Sequence, residues 1–391
     1  MIRNDFQGKS LPLLGFGVMR LPTRADGTID EAQASDLVAY AMEQGVNYFD
    51  TAYTYNGGEC ERVIGRILSH YPRESFYLAT KYPGHQIMTA GYDPAAVFEE
   101  QLQRCGVDYF DFYLLHNVNY QSASTYLDPR WNIIGYFREQ KRLGRIKHLG
   151  FSTHIQLNGL EEFLDAVGDD MEFCQIQLNY LDWTLQDAKG KYKLLSDRNI
   201  PIWVMEPVRG GKLASLAPEQ EAPLKALRPE ETVPAWCFRF LQRLPDLRLI
   251  LSGMSNMAQV QDNIRTFSER KPLSDAETDV LLSIAETMKN GVPCTGCRYC
   301  CDGCPAGLDI PTLLETYNEL KVSPSANISI RIEFAPEEKR PSACIDCGQC
   351  VQMCPQNIDI PKAFREMTEI VSTIPSWAET CRKREEAKKK T

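Results

Sequence analysis

The sequence predicts an α/β fold: a closed (β/α)8 barrel followed by a smaller cysteine-rich unit. Three observations carry that reading. Strand-like segments alternate with segments of helical spacing eight times over the first ~270 residues, which implies parallel βα units and fits a closed barrel in count and length. No Gly-x-Gly-x-x-Gly follows the first strand, which argues against the runner-up, a doubly wound open sheet with a dinucleotide fingerprint. Nine of the 14 cysteines lie between Cys294 and Cys354.

The elements follow in order. Leu11–Leu14 and Gly15–Met19 read as short extended pieces. A helix pattern runs from Glu31 to Gln44, with Asp30 as N-cap and Gly45 as the stop. The next strands are Val46–Asp50, Phe76–Thr80 ending at Lys81, Phe110–Leu115 ending at His116, and Ile146–Phe151 ending near Ser152. Phe173–Leu178, Ile200–Met205 ending near Glu206, and Leu247–Leu251 complete the set. Helices are expected between them at Cys60–Ser69, Pro94–Arg104, Arg130–Lys141, Leu157–Val167, Leu185–Asp197 and Thr232–Arg243, with a last one at Ala258–Phe267. Asn117–Asp128 and Ala217–Glu231 read as loops.

Composition bounds the function. A chain of 391 residues with 43% hydrophobic and 24% charged residues suits one large soluble domain plus a small one. A net charge of -9 argues against a nucleic-acid partner. No secretory signal and no apolar run of membrane-spanning length is seen, so the expectation is cytoplasmic, without a membrane partner. In a reducing compartment, clustered cysteines point to metal rather than disulfides.

In a barrel of this kind the site lies at the C-terminal strand ends, where Asp50, Lys81 and His116 fall. Tyr55 follows Asp50 in a loop closed by Asn56-Gly57-Gly58. A free tyrosine is a poor acid or base at neutral pH, and a neighbouring ammonium favours its phenolate. An aspartate compensates the lysine, and a histidine polarises a carbonyl beside the phenol. On Asp50-Thr51-Ala52-Tyr53-Thr54-Tyr55, Lys81 and Leu114-Leu115-His116, the chain resembles the aldo-keto reductase family. That resemblance implies a catalytic tetrad of Asp50, Tyr55, Lys81 and His116, with Tyr55 as general acid in carbonyl reduction or base in alcohol oxidation.

It also implies NADPH or NADH as cofactor, bound without a Rossmann domain. Ser152 and Gln175 match the family's carboxamide contacts, while Thr153 stands at the usual Asn position and His154 follows it. Met205, before Glu206, occupies the place of the stacking aromatic. Gly210-Gly211-Lys212-Leu213 resembles the loop over the pyrophosphate. Gly253 and Gln259 align where NADPH-specific members carry Lys and Arg, and Asn263 resembles the adenine contact. The missing charges leave NADH open, with Arg209, Lys212 and Arg265 as nearby cations that could substitute.

After Gly291-Val292-Pro293, two runs share one spacing: Cys294-x2-Cys297-x2-Cys300-x3-Cys304-Pro305 and Cys344-x2-Cys347-x2-Cys350-x3-Cys354-Pro355. This is the two-cluster ferredoxin signature, in which the fourth cysteine of each run ligates the other cluster. Two [4Fe-4S] clusters are expected, one on Cys294, Cys297, Cys300 and Cys354, the other on Cys344, Cys347, Cys350 and Cys304. Zinc, which needs only two short hooks, is the competing metal. Cys301 is surplus to the pattern. Leu308-Asp309-Ile310-Pro311 and Ile358-Asp359-Ile360-Pro361 repeat after the two runs. A helix is expected at Pro311–Leu320.

The expected domains are therefore a barrel over 1–290, a ferredoxin-like iron–sulfur domain with additional helices over 291–375 and a basic tail over 376–391. The combination resembles an oxidoreductase branch with a C-terminal ferredoxin-like module. It implies a small carbonyl or alcohol substrate, with the ferredoxin-like module either passing single electrons to a redox partner protein or serving as a structural cap. The alternative is an electron-transfer or regulatory protein whose barrel is a docking scaffold.

Overall fold

The chain opens with an antiparallel hairpin, β1 (Arg3–Phe6) and β2 (Lys9–Pro12), where the sequence suggests an extended piece only from Leu11. Gln7 and Gly8, at φ 51° and 78°, form the two-residue turn that matches strand twist. Phe6 packs among the rings of Phe112, His148, Phe173 and Trp203, with centroids 5.0–6.4 Å away. The hairpin thus fills one end of the core between strands.

Eight parallel strands then close into a barrel: β3 (Leu14–Gly17), β4 (Tyr48–Asp50), β5 (Tyr77–Tyr82), β6 (Phe110–Val118), β7 (Ile146–Thr153), β8 (Cys174–Gln177), β9 (Ile202–Met205) and β10 (Leu247–Gly253). Pairing of β10 with β3 completes the ring, and Gly253 lies opposite Gly17, which lies opposite Asp50. The structure is a computed structural model and describes all residues except 88–90, 120–121, 290, 293, 295–298, 355–357 and 390–391. Pro293, Cys297 and Pro355, which the sequence singled out, lie outside the described residues.

Helix starts follow their caps. Asp30 accepts from the Gln33 N–H ahead of Glu31–Glu43, Asp93 from Ala96 ahead of Pro94–Cys105, and Thr232 from Ala235 ahead of Val233–Leu241. The helices Glu59–Leu68 and Pro94–Cys105 approach so closely at Gly65 that a Cβ there would lie 2.6 Å from the Cys105 carbonyl oxygen. Three segments depart from the sequence reading. The helix expected from Arg130 starts at Ile133, after Asn132 at φ 46°. The stretches read as loops hold helices Ser122–Leu127 and Pro218–Leu227, the latter with Pro223 inside it.

The chain divides into two units, Met1–Leu282 with Arg384–Thr391, and Ser283–Lys383. In the second, helices Ile310–Val322 and Ile360–Ser372 follow the two repeated Asp-Ile-Pro motifs, with proline in the first turn of each. They bury Leu313, Leu314, Tyr317, Phe364 and Met367 in one core, against which Cys294, Cys304, Cys344 and Cys354 also pack. Helix Ala326–Glu333 is an addition that the sequence left as loop. The basic tail belongs to a helix, Trp377–Lys389.

Candidate functional site

Register explains why Asp50 and Lys81 meet. Asp50 pairs with Ala79, so Lys81, two residues further along β5, points to the same side one step higher. Lys81 is fully buried. Its Nζ donates to Asp50 Oδ1 at 2.5 Å, to the Thr51 carbonyl at 2.7 Å and to Tyr55 Oη at 3.3 Å. The ring of His116 lies edge-on to Tyr55, with centroids 5.7 Å apart. The structure therefore brings together all four residues of the expected tetrad.

The electrostatics are those of a buried ion pair. Burial pushes the Asp50 carboxyl above its ordinary value, against the pull of Lys81. Burial alone would lower Lys81, but Asp50 and Tyr55 together hold it above its ordinary value. For Tyr55 burial dominates and raises the phenol; Lys81 opposes this without reversing it. Burial thus favours the neutral phenol of Tyr55, with the Lys81 ammonium beside it.

Behind Lys81 lies a layer that the sequence did not reveal. Gln101 donates to the Lys81 carbonyl at 3.1 Å and to Glu61 at 2.7 Å, and accepts from Tyr113 at 2.5 Å. Glu61 also accepts from Thr80 at 2.6 Å and from Arg104 at 3.1 Å. This buried polar network braces the strand that carries Lys81.

The expected cofactor residues lie along the same strand ends. Ser152 and Gln175 are register partners on β7 and β8. Ser152 Oγ accepts from the Asn117 N–H at 2.9 Å, leaving its own proton to give. Gln175 Nε2 donates to Met205 Sδ at 3.6 Å, while its buried Oε1 has no protein partner. An orphaned carboxamide oxygen between β7 and β9 fits the donor–acceptor pair of a nicotinamide amide. Thr153 differs: its hydroxyl donates to the Val118 carbonyl at 2.7 Å and so is committed to the backbone. Glu206, at φ 58°, is held above its ordinary value by burial, against the pull of Arg20. Gly211, at φ 96°, closes the turn that follows.

Beyond the end of β10, Gln259 turns its Oε1 to the Ser255 N–H at 2.8 Å, and Asn263 donates to Ser252 Oγ at 3.0 Å. Arg209 is buried against Asp182 at 3.1 Å, and Arg265 pairs with Asp262 at 2.5 Å. A further cation of this region is Arg20, to which the sequence did not point. A side chain at Gly253 would meet its stem at 3.2 Å, and one at Gly210 would meet its Nη2 at 3.2 Å. Gly253 leaves room for the stem that crosses it.

In the second unit, a pocket of about 340 Å³ is lined by Cys304, Cys344, Cys347 and Cys350, together with Leu308, Ile345, Pro361 and Phe364. One thiol comes from the first run and three from the second. Burial, then repulsion from Cys344, Cys347 and Cys304, pushes the Cys350 thiol up to about 11. Among the described residues, no three Cys, His, Asp or Glu side chains converge on a point that would hold a single ion. Of the other expected set, Cys300 interacts with Cys301 and Cys294, and Cys354 packs against the same core. None of the described cysteines forms a disulfide.

Residues 13–286 match the Aldo/keto reductase family. The chain belongs to that family. Residues 293–358 match a 4Fe-4S dicluster domain. Among relatives, the chain is 25% identical to the NADH-specific methylglyoxal reductase of Escherichia coli over 68% of its own length and 91% of the relative's. It is 29% identical to an aldehyde reductase, YPR1, of Saccharomyces cerevisiae over 67% and 88%. Among solved structures it resembles the aldo-keto reductase AKR11C1 of Bacillus halodurans (TM-score 0.58, 25% identity, 73% of this chain and 96% of that one). The aldo-keto reductase Tm1743 shares the fold at TM-score 0.60 and 21% identity, over 73% of this chain and 100% of that one. The protein is thus an NAD(P)H-dependent oxidoreductase of the aldo/keto reductase family with an appended 4Fe-4S dicluster domain. Among the described residues no helix is long and apolar enough to cross a membrane.

Proposed function

We propose that this protein reduces a small carbonyl compound with a nicotinamide dinucleotide, Tyr55 acting as the general acid, and that it carries two [4Fe-4S] clusters. The observation that carries the first part is the placement of Lys81 Nζ between Asp50 Oδ1 at 2.5 Å and Tyr55 Oη at 3.3 Å. The nicotinamide, when bound, supplies hydride to the carbonyl carbon. Tyr55 gives its proton to the carbonyl oxygen, and Lys81 stabilises the phenolate left behind. Asp50 keeps Lys81 charged and in place. His116, edge-on to Tyr55, donates to the same oxygen and sets its direction. In alcohol oxidation Tyr55 takes the proton back.

Ser152 and Gln175 would hold the carboxamide, with Met205 against the ring and Glu206 and Gly211 beginning the loop over the phosphates. Gly253, Gln259 and Asn263 line the adenine end. Gly253 and Gln259 carry no cation, but the stem of Arg20 crosses Gly253, so this end fits NADH and NADPH alike. The Escherichia coli relative is named as NADH-specific, which favours NADH as the first dinucleotide to test.

One cluster would sit on Cys304, Cys344, Cys347 and Cys350, the other on Cys294, Cys297, Cys300 and Cys354. Clusters supply one-electron chemistry, which carbonyl reduction by hydride does not require. Cys347 is exposed, and Ile345 beside it is 65% exposed. Their exposure puts one edge of the first set at the surface, which favours single-electron exchange with a redox partner protein. The test is anaerobic purification with iron and sulfide analysis, followed by turnover of methylglyoxal and simple aldehydes with both dinucleotides. Eight irons per chain and NADH-dependent turnover are expected; clean dinucleotide binding without turnover would favour the docking-scaffold reading.

A further inference from the structure

A second buried imidazole lies against the candidate site. His85, in the turn after Lys81, is 4% exposed, and its ring meets that of His116 edge-on at 4.7 Å and 76°. We propose that His85 is a positioning residue for His116, fixing the plane in which His116 presents its ring N–H to the carbonyl oxygen; this rests on the role given to His116 above.

The imidazole torsion about its second side-chain bond is broad and weakly restrained by itself. Here two rings from different segments bracket it: Tyr55 on one contact, at 5.7 Å and 84°, and His85 on the other. Edge-to-face contacts of this kind are directional. The His85 turn is itself tightly determined. The Tyr126 ring fills the space a side chain at Gly84 would need, and Tyr82 closes it from another direction. Tyr126 is fully buried, with its hydroxyl 2.6 Å from the His116 carbonyl oxygen and 3.2 Å from that of Tyr82. One phenol therefore ties the segment bearing His85 to the strand end bearing His116. The proton transfer described above uses no ring nitrogen of His85; the contact assigned here is that of the two rings.

Two volume-conserving variants of the holoenzyme separate the possibilities. His85→Phe keeps an aromatic edge and removes both nitrogens; His85→Leu removes the ring. With an aldehyde and NADH, kcat should fall about 10-fold in His85→Leu. KM for NADH should hold, and His85→Phe should stay within about threefold of wild type. Independently of turnover, the five histidines give a short list of imidazole signals in ¹⁵N-labelled protein. The His116 signal, assigned by its loss in His116→Gln, should shift in His85→Leu and hold in His85→Phe. Unchanged kcat and signal in His85→Leu would overturn the proposal. So would equal loss in His85→Phe, which would mean that a ring nitrogen matters. A fully active Tyr55→Phe would instead overturn the proton-donor reading, while the His116 signal still decides the role of His85.

Discussion

Replacing Asp50 by Asn tests the buried pair on which the site depends. The carboxylate oxygen lies 2.5 Å from an ammonium that is fully buried. At that distance and an effective dielectric near 20, the attraction is about 6–7 kcal/mol. The amide oxygen would still accept a hydrogen bond, and the Thr51 carbonyl at 2.7 Å stays in place. The net cost at pH 7 should therefore be about 3–5 kcal/mol, the range for breaking a buried pair from one side. The sign of the pH dependence is specific. In the wild type Lys81 is held above its ordinary 10.5, so its contribution is fully present below that value and is lost only as pH rises through the higher folded one. Without Asp50, burial dominates and Lys81 falls below 10.5. The folded variant then binds fewer protons than the unfolded chain, and its stability rises with pH between the two values. Urea unfolding of the barrel at pH 7 and pH 9.5 measures this: the gap from wild type should narrow at the higher pH. A loss under 1 kcal/mol, or one independent of pH, would refute the assignment.

Three further outcomes are expected. Because burial raises Tyr55 above 10, kcat/KM for reduction should stay level from pH 6 to pH 9 and fall only beyond the raised value, while alcohol oxidation should gain with pH; an acidic limb assigned to Tyr55 by its loss in Tyr55→Phe would contradict this. Despite burial, contacts with His148 at 3.2 Å, Lys141 at 2.7 Å and the Leu149 N–H at 2.9 Å hold the Glu172 carboxyl down to about 2. Its contribution is thus present above 4.5 and lost as pH falls toward 2, and Glu172→Gln should cost about 2 kcal/mol in urea at pH 7 with kcat unchanged. Cys347→Ala should halve iron and sulfide per chain and leave dinucleotide binding intact, as measured by metal analysis and fluorescence titration.

Much of the barrel was legible because its strands are apolar runs that stop at chemistry-bearing residues: Asp50 ends β4 where the sequence placed it, and Lys81 lies one residue before the end of β5. His116 is less terminal than it reads, since β6 continues to Val118 through polar Asn117. The β1 strand was hidden because Arg3-Asn4-Asp5 is polar and gains its place only through Phe6 packing among four rings. The Pro218–Leu227 helix was hidden by Pro223 and by a nearly unburied face, with Leu224 as its one buried residue. Long-range partners are invisible in sequence for a simpler reason. Arg20 reaches Gly210 only after β3 and β10 pair, and His85 meets His116 only after β5 and β6 do. Cysteine spacing carries its geometry locally, so it named Cys304 with Cys344, Cys347 and Cys350, the four thiols that line one pocket.

The proposed proton transfer from Tyr55 to the carbonyl oxygen is open to direct test. The direct measurement is kcat/KM for NADH-dependent aldehyde reduction by wild type and Tyr55→Phe, with dinucleotide affinity measured on both. The account predicts a loss of about 10²–10⁴-fold with affinity unchanged. A variant that keeps aldehyde reduction within a few-fold of wild type would contradict it.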